Sequence, residues 1–136
     1  MKKRKGSIDS IAFILIGILA IYIVVMSAIY IFNYLMLYED VNSVARAYLL
    51  EMETVGYLNP EKKTQLISDL SMLQVNDIDL SGTSMSDVGY GNRIYLDIKC
   101  DIPGSSLNTV SGNMFKFFFE NVEWPILVRR ESTAKR

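Results

Sequence analysis

The sequence predicts an α+β protein in which a long N-terminal transmembrane helix continues as an amphipathic helix and packs on a small antiparallel sheet of about three strands. Three patterns support this prediction. Residues 10–38 contain no charged side chain, residues 41–55 place apolar side chains at spacings of four and three, and residues 93–102 alternate apolar and polar side chains without a break. These patterns are typical of a membrane span, a helix with one buried face and a strand with one buried face, respectively.

The uncharged stretch is long enough to cross a membrane. Its 29 residues would extend about 43 Å as a helix, whereas a bilayer core requires only about 20 residues. A cleavable secretory signal is the alternative, but its apolar region is only about 7–15 residues long and ends at a small-residue cleavage site. We therefore expect a retained transmembrane helix over residues 7–38.

The charges on the two flanks predict how this helix is oriented. Four basic residues, 2–5, precede it, whereas residues 39–53 contain four acidic residues and the single base Arg46. Because basic flanks remain in the cytoplasm, residues 1–6 should form a cytoplasmic leader. We expect a single-pass protein of the cell membrane in contact with lipid, with its C-terminal domain on the outer side.

The helix should continue beyond the membrane over residues 39–56. One stripe of this extension is apolar and the residues between are mostly polar, so the stripe should form a packing surface. Gly56 is placed to end the helix. The predicted packing stripe consists of Val41, Ala45, Tyr48, Met52 and Val55.

Residues 57–136 should form a small outer domain. The stretch "NPEKKTQLISDLSML" predicts a second helix with Asn59 as its N-cap and Pro60 in its first position, and its buried stripe should be Leu66, Ile67, Leu70 and Leu73. The residues of "RIYLDIKCDI" that should face inward are Ile94, Leu96, Ile98, Cys100 and Ile102.

Two further strands complete the predicted sheet. The weaker one covers residues 75–80, with Ile78 and Leu80 inward, and the last runs from about Ile126 to Ser132 after Pro125. Residues 81–92 and 103–113 should be loops, and the aromatic stretch between the last two strands should contribute to the core. The predicted core aromatics are Phe115, Phe117, Phe118, Phe119 and Trp124. Because so small a core is weak by itself, we expect the sheet to lie against the packing stripe.

Composition argues against several classes of chemistry. The chain contains no histidine and one cysteine, so histidine-based triads, the usual zinc sites and an internal disulfide are excluded. The acidic residues Asp77, Asp79, Asp97 and Asp101 are expected on solvent faces rather than around a cation, and Cys100 is expected to be a buried, inert thiol. We predict no catalytic residues, no cofactor, no metal and no nucleic-acid partner.

The N-terminus "KKRKGSID" resembles a class III, prepilin-type signal, in which basic residues and a glycine precede an apolar helix. In that family a prepilin peptidase on the cytoplasmic side cuts after the glycine, which here would separate Gly6 from Ser7. The released helix then packs laterally into a filament. The resemblance therefore implies processing at Gly6 and Ser7 and assembly with other subunits.

The wider layout is similar to that of TadE-like minor pilins, or pseudopilins, of tight-adherence pili. Val44, Ala45 and Arg46 match a small-residue stretch of that family, and "PILVRRESTAKR" matches its terminal strand and Ser/Thr-rich tail. The family usually has Glu at the fifth position after the cut, which is Ile11 here, and the acid is instead Asp9. Asp9 either neutralises the new ammonium group of a mature N-terminus or complements the helix dipole at the headgroup level.

The expected function is therefore that of a structural, pilin-like subunit of a type IV or Tad-like pilus or secretion filament, held in the membrane before assembly. The alternative is a single-span accessory protein of a secretion or conjugation apparatus that is never cleaved. A membrane-anchored enzyme is disfavoured because the sequence contains no recognisable nucleophile–base pair or set of metal ligands.

Overall fold

The computed structural model describes the backbone of residues 5–107 and 121–135, with side chains from Ser10 onward in those ranges. Within them the order of elements is α1 (Lys5–Val55), α2 (Pro60–Met72), β1 (Asn76–Asp79), β2 (Arg93–Pro103) and β3 (Glu123–Thr133). The strands form one antiparallel sheet in the order β1-β2-β3. The predicted α+β class, with a long first helix and a three-stranded antiparallel sheet, is confirmed.

The long helix ends where the sequence places a glycine. Gly56 adopts φ 88°, a left-handed conformation that is costly for residues with a Cβ. Its N–H donates to the Met52 carbonyl at 2.7 Å, which satisfies one of the open carbonyls at the end of the helix. A Cβ at Gly56 would also lie 2.7 Å from Asp87 Oδ1, so both backbone and space require glycine here.

The start of α2 also agrees with the sequence prediction. Asn59 Oδ1 accepts a hydrogen bond from the Glu61 N–H at 3.1 Å, and Pro60 occupies the first helical position. Of the predicted stripe, Leu66 and Leu70 are buried and Leu73 is half-buried. The burial predicted for Ile67 is wrong, because its side chain lines an open groove. The neighbouring strand β1 has only four residues, too few to cover a second row of side chains.

The sheet has one continuous buried face. Strands β2 and β3 pair in register from Arg93↔Thr133 to Pro103↔Glu123, so their even-numbered residues share a face. All five β2 residues that were predicted to face inward are buried, and Ile126 and Val128 of β3 join them. The prediction for β2 is confirmed, although the strand runs one residue further, to Pro103.

The two outer strands differ from their predicted bounds. β3 begins at Glu123 rather than Ile126 and therefore contains Pro125, which is tolerated because β3 is an edge strand. β1 is short and irregular: its register with β2 shifts between Asn76 and Asp79, and Asp77 has φ 49°. Leu80 is buried just beyond the end of β1, and Ile78 is only half-buried.

Two side chains occupy environments opposite to those predicted. Trp124, expected in the core, is 38% exposed; it lies near one end of the sheet, paired with Ile102. Asp97, expected in solvent, is only 3% exposed, because the chain after Leu80 folds across its strand. The predicted core residues Phe115, Phe117, Phe118 and Phe119 lie outside the described residues.

The chain divides into two units, Met1–Asn33 and Tyr34–Arg136. This division falls five residues before the uncharged stretch ends at Tyr38. The first unit comprises the greater part of that stretch. The second, called the outer unit below, comprises the rest of α1, helix α2 and the sheet.

Candidate functional site

The first half of α1 exposes its apolar side chains all round. Every residue from 10 to 25 is exposed, and the exposed fractions include 75% for Phe13 and 66% for Ile21. Within the described residues this helix is the single candidate for a membrane span by length and composition. Soluble monomers rarely expose apolar patches larger than a few hundred Å², so this surface fits contact with lipid or with other apolar helices.

One polar side chain of this stretch is satisfied within the helix. Ser27 donates its hydroxyl to the Ile23 carbonyl, one turn earlier, at 2.8 Å. Such a bond satisfies the hydroxyl within the helix. The exposed polarity of the stretch is thereby reduced without a partner outside the helix.

The predicted processing residues lie at the start of α1. The helix begins at Lys5, so the backbone of Gly6, Ser7 and Asp9 is helical. Their side chains lie outside the described part of the chain. The pairing of Asp9 with a mature N-terminus therefore stays a prediction.

The predicted packing stripe lies along the outer unit. Val41 and Ala45 have no exposed surface and Met52 is 2% exposed, whereas Tyr48 and Val55 are half-buried. Leu49, which the spacing of the stripe omits, is buried as well. A broader stripe that includes the residue after Tyr48 would have found it, since helix faces buried on a sheet are wider than a single row.

Polar contacts join the second half of α1 to the last strand. Arg130 Nη2 donates to Asn42 Oδ1 at 2.9 Å. Eleven residues further along α1, Glu53 accepts hydrogen bonds from the hydroxyl of Ser132 and from the ammonium of Lys135. The Lys135 N–H also donates to the Glu53 carbonyl at 2.8 Å. Strand β3 and the residues after it are therefore attached along α1 by contacts between residues some 80 positions apart in the chain.

Glu53 was missed by the sequence analysis. It belongs to the polar face of the predicted amphipathic helix, yet it is only 8% exposed. The Lys135 ammonium and then the Ser132 hydroxyl lower the pKa of the Glu53 carboxyl, so it stays ionised despite its burial. Lys135, from the last residues of the chain, thus takes part in a contact with a buried carboxylate.

Helix α2 is joined to α1 by a tyrosine and an ion pair. Tyr48 donates its hydroxyl to Asp69 Oδ2 at 2.7 Å, and Lys62 Nζ lies 2.8 Å from Glu51 Oε1. Burial, together with the bond to the Asp69 carboxylate, raises the pKa of Tyr48 to about 12. The hydroxyl therefore remains protonated and continues to donate throughout the physiological range.

Asp97 organises the opposite face of the sheet. Its Oδ2 accepts from Arg129 Nη2 at 2.7 Å and from Arg129 Nε at 3.3 Å. Its backbone N–H and carbonyl both bond Thr83 Oγ1 at 3.1 Å, which holds the loop after β1 against β2. Gly82 is required there, because a Cβ would lie 2.5 Å from Asp97 Oδ2.

Three acidic side chains meet at the end of the sheet where β2 ends and β3 begins. Asp77, Asp101 and Glu123 each bring one carboxylate oxygen within 4.8 Å of the others. Carboxylate oxygens are the ligands that calcium and magnesium prefer. These residues are exposed or half-exposed, however, and such a cluster does not by itself define a metal site.

Cys100 is a buried free thiol, as predicted. Burial raises its pKa to about 11, so the reactive thiolate is scarce at neutral pH.

Comparisons of this chain with known protein families, with curated proteins and with solved structures found no match.

Proposed function

We propose that the chain is a pilin-like structural subunit of a type IV or Tad-like pilus or secretion filament, held in the membrane before assembly. The observation that carries the proposal is the contrast within α1. One continuous helix, Lys5–Val55, exposes apolar side chains on all sides in its first half and buries one face in its second half. A subunit that leaves lipid to pack laterally against other helices needs an apolar helix of this kind attached to a folded outer part.

The start of the sequence supports the same proposal. Basic residues, Gly6 and Ser7 precede the apolar stretch in the order typical of a prepilin-type signal. In this proposal a prepilin peptidase cuts between Gly6 and Ser7, other pilin-like or secretion-system subunits are the partners, and the protein has no enzymatic activity of its own.

Cleavage is tested by the intact mass of the protein isolated from its native membrane. We expect a chain that begins at Ser7. The Gly6→Leu variant should retain the full leader, because a peptidase site shaped for glycine has no room for a branched side chain. Gly17→Leu is the matched control and should be processed normally, since nothing lies within 4 Å of a Cβ there.

A second candidate function is that of an uncleaved, single-span accessory protein of a secretion or conjugation apparatus. Ile11 favours it, because this position carries Glu in the family that the N-terminus resembles. A full-length mass for the unaltered chain, from membranes in which an authentic prepilin is cut, would reject processing and support this second function.

The role of Asp9 is tested by assembly rather than by processing. In Asp9→Asn the shape is nearly kept and the charge is lost. If Asp9 neutralises a mature N-terminus, the variant should be cut normally but give shorter cross-linked ladders from membranes, because an ammonium group would be left unpaired in an apolar setting. Identical ladders from the two proteins would show that Asp9 only complements the helix dipole, an interaction that stabilises by about 0.3–1 kcal/mol.

The orientation is proposed from the flanking charges, with the leader in the cytoplasm and the outer unit outside. Protease added to cells without an outer barrier should digest residues 57–136 and leave the apolar helix intact. Digestion that occurs only after lysis would indicate the opposite orientation and contradict the pilin-like function.

A further inference from the structure

The predicted span of residues 7–38 extends past the boundary between the two units, which falls after Asn33. The uncharged stretch is longer than a bilayer core requires, and its last residues, Tyr34–Tyr38, belong to the outer unit. The remaining residues, 10–33, would extend about 36 Å as a helix, which matches a core of about 30 Å at a tilt of about 35°, within the range seen for membrane spans. If this stretch is the span of the proposed function, Tyr34 is the first residue at the outer headgroups.

Tyr34 is in contact with the only tryptophan of the chain. The rings of Tyr34 and Trp124 have centroids 6.0 Å apart and planes inclined at 56°, a tilted arrangement favoured by aromatic quadrupoles. Because Tyr34 directly follows the span in sequence, any side chain in contact with it must lie near the same level. We call these two side chains the aromatic corner.

The aromatic corner has the chemistry of a membrane interface. Trp124 remains 38% exposed although it is the largest apolar side chain of the outer unit. Tyrosine and tryptophan concentrate at the headgroup level, where the ring meets acyl chains and the polar atom meets water. A tryptophan left partly uncovered beside the end of a span therefore fits lipid better than it fits bulk water.

The charges around the corner indicate which lipids it would meet. Glu123 precedes Trp124, and its carboxylate lies with those of Asp77 and Asp101. Three acids at this end of the sheet would repel anionic headgroups, whereas zwitterionic headgroups carry an outer positive charge that tolerates them. The surface therefore fits a zwitterionic bilayer.

We propose that the aromatic corner is a lipid-contact surface, at which Trp124 and Tyr34 insert into the headgroup region of the outer leaflet around the span. The proposal rests on the membrane span of the proposed function and goes beyond it, because a span by itself does not require any part of the outer unit to touch lipid. Lipid contact at Trp124 would keep the outer unit at the membrane surface before assembly.

The single tryptophan provides the measurement. The full chain is reconstituted into phosphatidylcholine vesicles whose lipids carry bromine either near the headgroup or near the end of the acyl chain. Bromine near the headgroup should quench about half of the Trp124 emission, and bromine near the chain end should quench little. Aqueous iodide should quench less in vesicles than after unfolding in urea.

A matched variant moves the tryptophan to the opposite face of the sheet. In the double variant Trp124→Phe with Leu127→Trp, the new ring occupies a position that is 55% exposed on the opposite face of β3. It lies about 10 Å further along the strand. We expect this protein to be insensitive to brominated lipid and readily quenched by iodide.

Equal quenching of the two proteins, or a Trp124 that bromine does not quench while the chain floats with the vesicles, would overturn the lipid contact and leave the span intact. A chain that does not float would instead defeat the span, and the lipid contact with it. The difference in quenching between the two bromine positions, measured on the unaltered chain, tests the lipid contact even if the double variant fails to fold.

Discussion

The two halves of α1 have opposite surroundings. Residues 10–25 expose every side chain, whereas Val41, Ala45 and Met52 of the same helix are buried. Residues 10–25 contain no charge to distinguish one face from another, whereas the second half of α1 places charged residues between the members of its apolar row. The comparison shows that a helix without charged residues suits a uniform apolar medium, whereas charged residues on one side of a helix restrict burial to the other side.

The most severe way to break this comparison is to place a charge under the sheet. Ala45→Lys should destabilise the outer unit by about 3–5 kcal/mol, because an unpaired ammonium would be buried at a site with no exposed surface. The measurement is urea unfolding of the full chain in detergent, in which the extent of labelling of the buried Cys100 thiol at each urea concentration reports the unfolded fraction. Cys100 suits this purpose because it should react only after unfolding.

Ala47→Lys is the control, since Ala47 lies on the same helix two residues later and is exposed. It should leave the midpoint of unfolding nearly unchanged. If Ala45→Lys were equally harmless, the stripe would be accessible in the isolated chain, and its role would pass to contacts between subunits.

A smaller effect is expected where space is tight but no charge is introduced. Gly82→Ala should cost about 1–3 kcal/mol, a typical penalty for overpacking, because the new Cβ would lie 2.8 Å from the Asp97 Cβ. The loop or the Asp97–Arg129 ion pair must then shift. Gly17→Ala, in the apolar half where nothing lies within 4 Å, should leave unfolding of the outer unit unchanged. Equal midpoints for the two variants would show that the loop does not pack on Asp97.

The smallest predicted effect concerns a single hydroxyl between the two helices. Tyr48→Phe removes the hydrogen bond to Asp69 and should cost about 0.5–1.5 kcal/mol at neutral pH. The pKa of Tyr48 is raised to about 12 in the folded chain from about 10 when unfolded. Between these values the unfolded state loses its proton first, so this stabilisation is complete below about pH 10 and is lost as the pH rises towards 12.

The check is the difference in unfolding free energy between the unaltered chain and Tyr48→Phe, measured as a function of pH. It should shrink above pH 10. Tyr90→Phe changes a tyrosine that is 79% exposed and should show no such difference. A gap between the unaltered chain and Tyr48→Phe that does not depend on pH would mean that the hydroxyl titrates normally and is not buried against Asp69.

Much of the fold could be predicted from local patterns. The bounds of α1 and α2 follow from an uncharged run, a 3–4 spacing and end residues such as Asn59 and Gly56, all of which act within a few residues. The inward face of β2 follows from strict alternation. These predictions agree with the structure because helix and strand periods are properties of the backbone itself.

The predictions that failed concern what covers a side chain. Alternation places Asp97 on the outer face of β2, but only the folded chain shows Thr83 and Arg129 closing over it. Ile67 lies in the helical row that was predicted to be buried, but the neighbouring strand β1, with four residues, is too short to cover it. The acidic cluster is missing from the sequence pattern for a similar reason, because strand pairing is what brings Glu123 to Asp101.

The sequence by itself determined the elements of this protein, the apolar stretch suited to a membrane and the face that β2 buries, since each depends on side chains a few positions apart. Only the tertiary structure decided that Tyr34 meets Trp124, that Glu53 is buried against Lys135, and that the outer unit begins before the apolar stretch ends. Those contacts join residues some 80 or more positions apart. Their free energy depends on how the sheet lies along α1, and no local period of the sequence encodes that arrangement.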